Sequence, residues 1–293
     1  MTNRLRSYLF AFHVARKHVV NWVSLMFRAL LRMDGRFVSR GGGEIVCSGR
    51  SLLKQLVRLE NSWRHYGEVL PLVKFGSDAL VIPNYFGRDF TIPLRAEGVA
   101  PPSAFHQFYN FDVEGMVVLD VGAYLGDTPL LWIHKNARKV IAVEPVQFHF
   151  RFLELNVRGL PVECLNASIG TAVPDLPSQY GSMGYGLEFG AGAGDKLQVP
   201  VVGLLDLVNR YRPEVVKLNC EGCEHYVIDE LSLLPSLGVK KLAVDFHDTG
   251  EFDAYSSLDK LREKMGLGKI LREKATQTGS GASRRIVKVL WEF

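Results

Sequence analysis

Three short segments combine acids, glycines and aliphatic runs in a way that could build a ligand site. The first is Asp120-Val121-Gly122-Ala123-Tyr124-Leu125-Gly126-Asp127-Thr128. It puts an acid and a glycine-rich turn between an aliphatic run and a helix-forming stretch, so a ligand can approach backbone N–H groups at a helix start. A dinucleotide fingerprint requires glycine at 124, where Tyr124 stands, and the loop reads DxGxxxG instead. The second is Glu144-Pro145, about 22 residues beyond Gly122. At that interval a carboxylate can accept both hydroxyls of a ribose. The third is Val216 to Glu224, which leaves an aliphatic run through Asn219, Glu221 and Gly222 into a helix. Glu221 and His247 are candidate proton acceptors, with His225 third, and Lys217 joins the catalytic set. Asp120, Gly122, Ala123, Tyr124, Gly126, Asp127, Thr128, Glu144, Pro145 and Asn219 form the candidate cofactor-binding set. Each has a structural alternative: a tight turn without ligand, a solvated strand-end acid, a lysine–carboxylate pair, or a hydrogen-bonded histidine.

The elements that must position these residues alternate from Met116 onward. Strands are predicted at 116–121, 140–143, 162–165, 215–218, 241–246, 269–273 and 285–291, with helices at 127–136, 147–158, 224–233 and 258–265. The pattern predicts an α/β fold: a Rossmann-like, doubly wound, mainly parallel seven-stranded sheet with a terminal antiparallel hairpin. Residues 114–293 form this predicted domain and residues 1–113 an N-terminal α+β accessory region. A dinucleotide-binding sheet normally continues with parallel strands, whereas this one is expected to end in a hairpin.

With VLDVGAYLGDT, VIAVEP and VKLNCEGCE in this order, the chain resembles the FkbM-like family of methyltransferases over about 170 residues. Lys217, Glu221, Gly222 and Glu224 match the family's K-x-D-x-E-G-x-E, while Asn219 replaces its aspartate and Tyr124 departs from its usual asparagine. Asn166-Ala167-Ser168 resembles its adenine-side segment and Asp245-Phe246-His247 its late acidic element. The resemblance implies S-adenosylmethionine as cofactor, with Asp120 near the cofactor's amine. It also implies methylation of a hydroxyl on a sugar, glycan, glycolipid or related small molecule. Because an amide both donates and accepts where a carboxylate only accepts, Asn219 keeps a second expectation open: a cofactor-binding module with little or no turnover.

Charge is uneven along the 293 residues. Arg4, Arg6, Arg16, Lys17, Arg28 and Arg32 precede the first acid, Asp34, so that stretch carries +6 and, with a net charge of +4, the remainder carries 4 − 6 = −2. Neither the core's charge nor any zinc-finger or RRM motif points to nucleic acid. Leu5, Tyr8, Phe12, Ala15, Val19, Trp22, Met26, Ala29 and Met33 predict one helix face. That helix either docks on protein, its own or a second subunit's, or lies on an acidic membrane surface through residues 1–33. The apolar run from Val19 to Phe27 is too short to span a bilayer. The expected address is therefore the cytoplasm, with a peripheral membrane contact and self-association both open. No metal ligand set is expected. Asp245, His247 and Asp248 fall short of an octahedral site, and Cys220-x-x-Cys223 reads as two small residues flanking a strand end, with a disulfide as the alternative. The glycine-rich stretch 180–195 reads as a hairpin, or alternatively as a lid.

Overall fold

The computed structural model describes residues 3–94, 99–170, 176–177, 196–197, 199–249, 252–265, 269–278 and 284–293. The 180–195 stretch therefore lies outside the described residues. The chain divides into a first unit ending at Gln107 and a second beginning at Phe108. This division precedes the 113/114 boundary expected from sequence. Tyr109 and Phe111 pack their rings against Trp132 of the second unit, and Lys135 Nζ donates to the carbonyls of both.

The first unit contains α1 (Asn3–His18), α2 (Trp22–Leu31), hairpin strands β1 (Asp34–Val38) and β2 (Glu44–Ser48), and α3 (Gly49–His65). An antiparallel sheet of β3 (Lys74–Phe75), β4 (Ala79–Tyr85) and β5 (Arg88–Pro93) follows, then α4 (Pro102–Phe108). Helix α3 buries Leu52, Leu56, Leu59 and Trp63, one stripe at helical spacing. Lys17 and His18 of α1 both bond the buried Glu60 of α3. Burial alone would raise the Glu60 pKa, but these two partners bring it down to about 2.

The single N-terminal helix expected from sequence is two helices. Val19 bridges Ser39, and Val20 N–H donates to the Val38 carbonyl. Asn21 then bonds Arg36 and Val38 through its side chain. Val19 still closes the last turn of α1 on the Ala15 carbonyl, but the β-branched Val20 and then Asn21 turn their hydrogen bonds to the hairpin.

The second unit is a seven-stranded sheet in the order β15-β16-β14-β13-β6-β7-β8. Here β6 is Val117–Val121, β7 Lys139–Val143, β8 Val162–Leu165, β13 Val215–Leu218, β14 Lys241–His247, β15 Lys269–Thr278 and β16 Arg284–Glu292. The numbering between them is taken by short pieces: β9 (Ser168–Ile169) pairs β12 (Val201–Val202) in parallel, and β10 (Leu176–Pro177) pairs β11 (Lys196–Leu197). Strands β8, β7, β6, β13 and β14 are parallel, and β16 runs antiparallel to both β14 and β15. This is the α/β architecture with a terminal hairpin that the sequence predicts. Every residue of β6, β13 and β14 is buried, as a parallel sheet covered on both faces requires. The helices between strands are α5 (Asp127–His134), α6 (Gln147–Val157), α7 (Leu204–Tyr211), α8 (Ile228–Leu233) and α9 (Ala254–Met265). The helix expected over 224–233 begins as a 3₁₀ turn, Cys223–His225, before α8.

Candidate active site at the carboxyl ends of the parallel strands

Strand order reverses beside β6, whose neighbours are β7 and β13. Loops after these strands open the crevice where such sheets bind ligands. Asp120 and Lys217 are register partners on β6 and β13, flanked by Ala142 and Ala243. The alanines leave room for an ion pair inside the sheet layer: Lys217 Nζ lies 2.8 Å from Asp120 Oδ1, both buried. Lys217 also donates to the carbonyls of Val121 and Gly122, which uses all three of its protons. The other Asp120 oxygen accepts from Trp132 Nε1 of α5 at 2.8 Å. This lysine, placed in the catalytic set by sequence, spends its donors on fastening the first loop.

Gly122 shows why the loop needs glycine. Its φ is +77°, and a Cβ there would stand 1.8 Å from the Asn219 carbonyl oxygen. The first and third segments therefore meet backbone to backbone. Tyr124 and Glu221, on those same two loops, also have left-handed φ values of 49° and 58°. For non-glycine residues such backbones cost of order 1–3 kcal/mol and gather at functional loops.

Glu144 joins the second segment to the first. One carboxylate oxygen accepts the Tyr124 N–H and the other the Val146 N–H, each at 2.9 Å. Asn166 Nδ2 donates to the Glu144 and Pro145 carbonyls, tying in the loop after β8. Ala167 and Ser168 are buried just beyond it, Ser168 within β9. His149 of α6 packs edge-on to Tyr124, with Nδ1 3.5 Å from Glu144. Asp127 and Thr128 open α5 beside the loop. Burial, with the nearby Asp120 charge and despite Lys217, raises the Asp127 carboxyl to about 6.

The third segment carries a second buried ion cluster. Glu224 accepts from His247 Nδ1 at 2.8 Å, from His247 N–H at 2.9 Å and from Gly222 N–H at 3.0 Å. His247 Nε2 faces Glu221 at 3.5 Å. Burial disfavours the imidazolium, but the charges of Glu224 and Glu221 overcome it and lift His247 to about 9. At neutral pH it is a cation holding both protons, so it orients Glu221 and does not accept a proton. His225 donates from Nε2 to the His247 carbonyl and accepts from Ser257, a structural arrangement. Glu221, one-third exposed, is the member of this cluster turned toward solvent.

Cys220 and Cys223 form a disulfide, where sequence favoured two unlinked small residues. Left-handed Glu221 and Gly222 between them bend the chain until the two Cα atoms stand 5.5 Å apart. Among the described residues, these cysteines with Glu224 form a compact group of metal-ligand types, but the sulfurs are spent on each other. Asp245 bonds Tyr109 and Lys288 while His247 bonds Glu224, so this acid and this histidine engage separate partners.

Local motifs could not reveal Tyr109, which precedes the first sheet strand. Its buried hydroxyl donates to Asp245 at 3.3 Å and also bonds Asn219. Burial, then the charges of Asp245 and Asp120, push it well above the usual tyrosine range. His149, five residues after Glu144, carries a weak signal at best.

A nucleoside cofactor needs donors and acceptors near these loops, and the second unit has them. Among its described residues, the buried side-chain polar atoms without a hydrogen-bond partner are Thr128 Oγ1 and His149 Nε2. Thr128 starts the helix that follows the glycine loop, and His149 stands against Tyr124 and Glu144. Buried polar atoms left unpaired are uncommon and often mark a place where a ligand or water binds.

Neither a family model nor a curated protein matches the sequence. Similar solved structures include P. horikoshii TYW2 in complex with MeSAdo: 14% identity, TM-score 0.45, covering 88% of each chain. M. jannaschii TYW2 in complex with AdoMet is 15% identical with a TM-score of 0.40, covering 74% of this chain and 88% of that one. Trm5b from Pyrococcus abyssi is 15% identical with a TM-score of 0.41 over 70% of this chain, which spans about half (53%) of that protein. At these identities and scores the likenesses assign this chain no activity and no family.

Proposed function

We propose that the second unit is an S-adenosylmethionine-dependent methyltransferase acting on a hydroxyl of a sugar, glycan, glycolipid or related small molecule. The observation that carries the cofactor reading is the joining of Glu144 to the glycine turn 122–126 at the strand-order reversal. A carboxylate with two backbone bonds retains acceptor positions for a ribose. Glu144, the 122–126 turn, Asp127, Thr128, Asn166 and Asn219 would hold the cofactor. The cofactor, when bound, supplies a methyl group already activated by a positive sulfur. The chain's own task is to align the acceptor oxygen and exclude water. Glu221 is the group that would take the hydroxyl proton, and His247 holds it in place electrostatically.

Calorimetric titration with S-adenosylmethionine and separately with NAD tests the cofactor. Saturable binding of the first is expected, and binding of NAD alone would overturn the reading.

One observation favours a second reading, a cofactor-binding module with little turnover: Asn219 bonds Tyr109 in place of the carboxylate that the resemblance leads one to expect. Labelled cofactor incubated with glycan and lipid-extract panels separates the two. Tight cofactor binding with no labelled product across the panels favours the module.

A further inference from the structure

The first unit exposes an apolar surface that its own fold does not use. On α1, Leu5, Tyr8, Leu9 and Phe12 are exposed, while Val14 and His18 on the opposite side are buried. On α2, Val23, Phe27, Leu30 and Leu31 are exposed, Leu30 at 74%, with Leu25 buried behind them. Both sets follow i, i+3 or i+4, i+7 spacing, the stripe by which a helix normally faces a core. Phe12 and Trp22 meet edge to face at 4.7 Å, which joins the exposed faces of the two helices. Val20 and Met33 extend them. An apolar surface of this extent on two adjoining helices marks a docking site.

Charge selects the occupant. Residues 3–33 contain no acid. Lys17 is bonded to Glu60 and Arg28 to the Asp34 carbonyl, but Arg6, Arg16 and Arg32 are exposed. By spacing, Arg16 continues the α1 stripe one turn beyond Phe12. A second copy meeting this face about a two-fold axis would set arginines against arginines. An anionic bilayer offers apolar depth and negative headgroups together, which suits basic amphipathic helices lying in the interface. No described helix is long and apolar enough to cross a membrane.

We propose that α1 and α2 together form a peripheral docking surface for anionic lipid bilayers. The inference rests on the first unit alone and stands whether or not the second unit transfers methyl groups.

The test is flotation of the full chain with vesicles of phosphatidylcholine mixed with phosphatidylglycerol, against phosphatidylcholine alone, at low and high salt. Flotation on the anionic vesicles, lost at high salt, is expected. Val23→Glu/Phe27→Glu/Leu30→Glu should abolish it with an unchanged unfolding midpoint, since these side chains face solvent. Arg6→Gln/Arg16→Gln/Arg32→Gln should weaken it on the order of a hundredfold, an arm that stands even if the glutamate variant misfolds. Absence of flotation on anionic vesicles, equal flotation on neutral ones, or a well-folded glutamate variant that floats like the parent would each overturn the proposal. So would a concentration-dependent dimer, broken by the glutamate substitutions, in a protein that does not float, since the face would then belong to a second copy.

Discussion

Asp120 and Glu144 are buried carboxylates at neighbouring strand ends, one facing a lysine and the other a histidine. Their surroundings differ in what is left over. Both Asp120 oxygens and all three Lys217 protons bond protein atoms, drawing β6, β13, α5 and the 122 turn together. The Glu144 oxygens bond backbone, yet His149 Nε2 beside them remains without a partner, as does Thr128 Oγ1 in the first turn of α5. A closed network specifies architecture, whereas an open one at a strand-order reversal is prepared for something not yet bound. Similar residue types thus serve scaffold and site, and the hydrogen-bond count separates them.

The largest way to break this comparison is at its closed end. Lys217→Met removes the only lysine bonded to Asp120 among the described residues and leaves a buried carboxylate uncompensated. Breaking such a pair costs about 3–5 kcal/mol, which urea unfolding should register. Adding Asp120→Asn should recover part of the loss, because the stranded charge is gone. A loss under about 1 kcal/mol for Lys217→Met would put Lys217 outside the scaffold.

The His247 cluster sharpens the comparison with a pH profile. Its folded pKa, about 9, lies above the unfolded 6.5. The stabilisation is therefore complete below about pH 6.5 and fades as pH rises through 9, since folding then holds a proton that the unfolded chain has released. The difference is on the order of 3 kcal/mol. Unfolding free energy measured from pH 6 upward should fall over that window, and His247→Gln should flatten the fall. A profile flat in the parent protein would mean that His247 is not held as a cation.

These contrasts show what the sequence could disclose. Strand positions are legible because β6, β7, β13 and β14 are mainly aliphatic runs between turn residues, with Asp120, Lys217 and Asp245 as single charged interruptions. The meeting of three distant segments follows from the order β13-β6-β7, which the sequence alone does not state and which sets the loops after these strands side by side. Helix α7 was legible but overlooked: Leu204, Leu207, Val208 and Tyr211 keep helical spacing before Pro213. The break at Val19–Asn21 was not legible, because it arises from hydrogen bonds to a hairpin about 17 residues away. Nor was the cationic state of His247, which depends on Glu224 standing opposite it across a fold-dependent gap. Local patterns name residue types at strand ends, but only pairing reveals which donors are already spent.

At the open end the effects are smaller in stability and larger in binding. Glu144→Gln keeps the side-chain shape and one carbonyl acceptor while removing the charge. On the proposed function, S-adenosylmethionine affinity should drop by about 1.5–3 kcal/mol, the range for hydrogen bonds to a charged group. Calorimetry reads this directly, and an unchanged affinity would move the ribose away from Glu144.

The smallest expected effect is also the most discriminating. Thr128 sits in the first turn of α5 with its hydroxyl buried and unpaired. Thr128→Val preserves the branched shape at nearly the same helix propensity. If the hydroxyl is held in reserve for a ligand, the unliganded protein should become more stable by up to about 1 kcal/mol, since a desolvated donor has been removed. The same variant should bind cofactor more weakly. Two thermal melts, with and without S-adenosylmethionine, suffice: the variant melts higher alone and gains less from the ligand. A variant that melts lower alone would show that Thr128 already has a partner, and the open end would then rest, among the described residues of the second unit, on His149 Nε2.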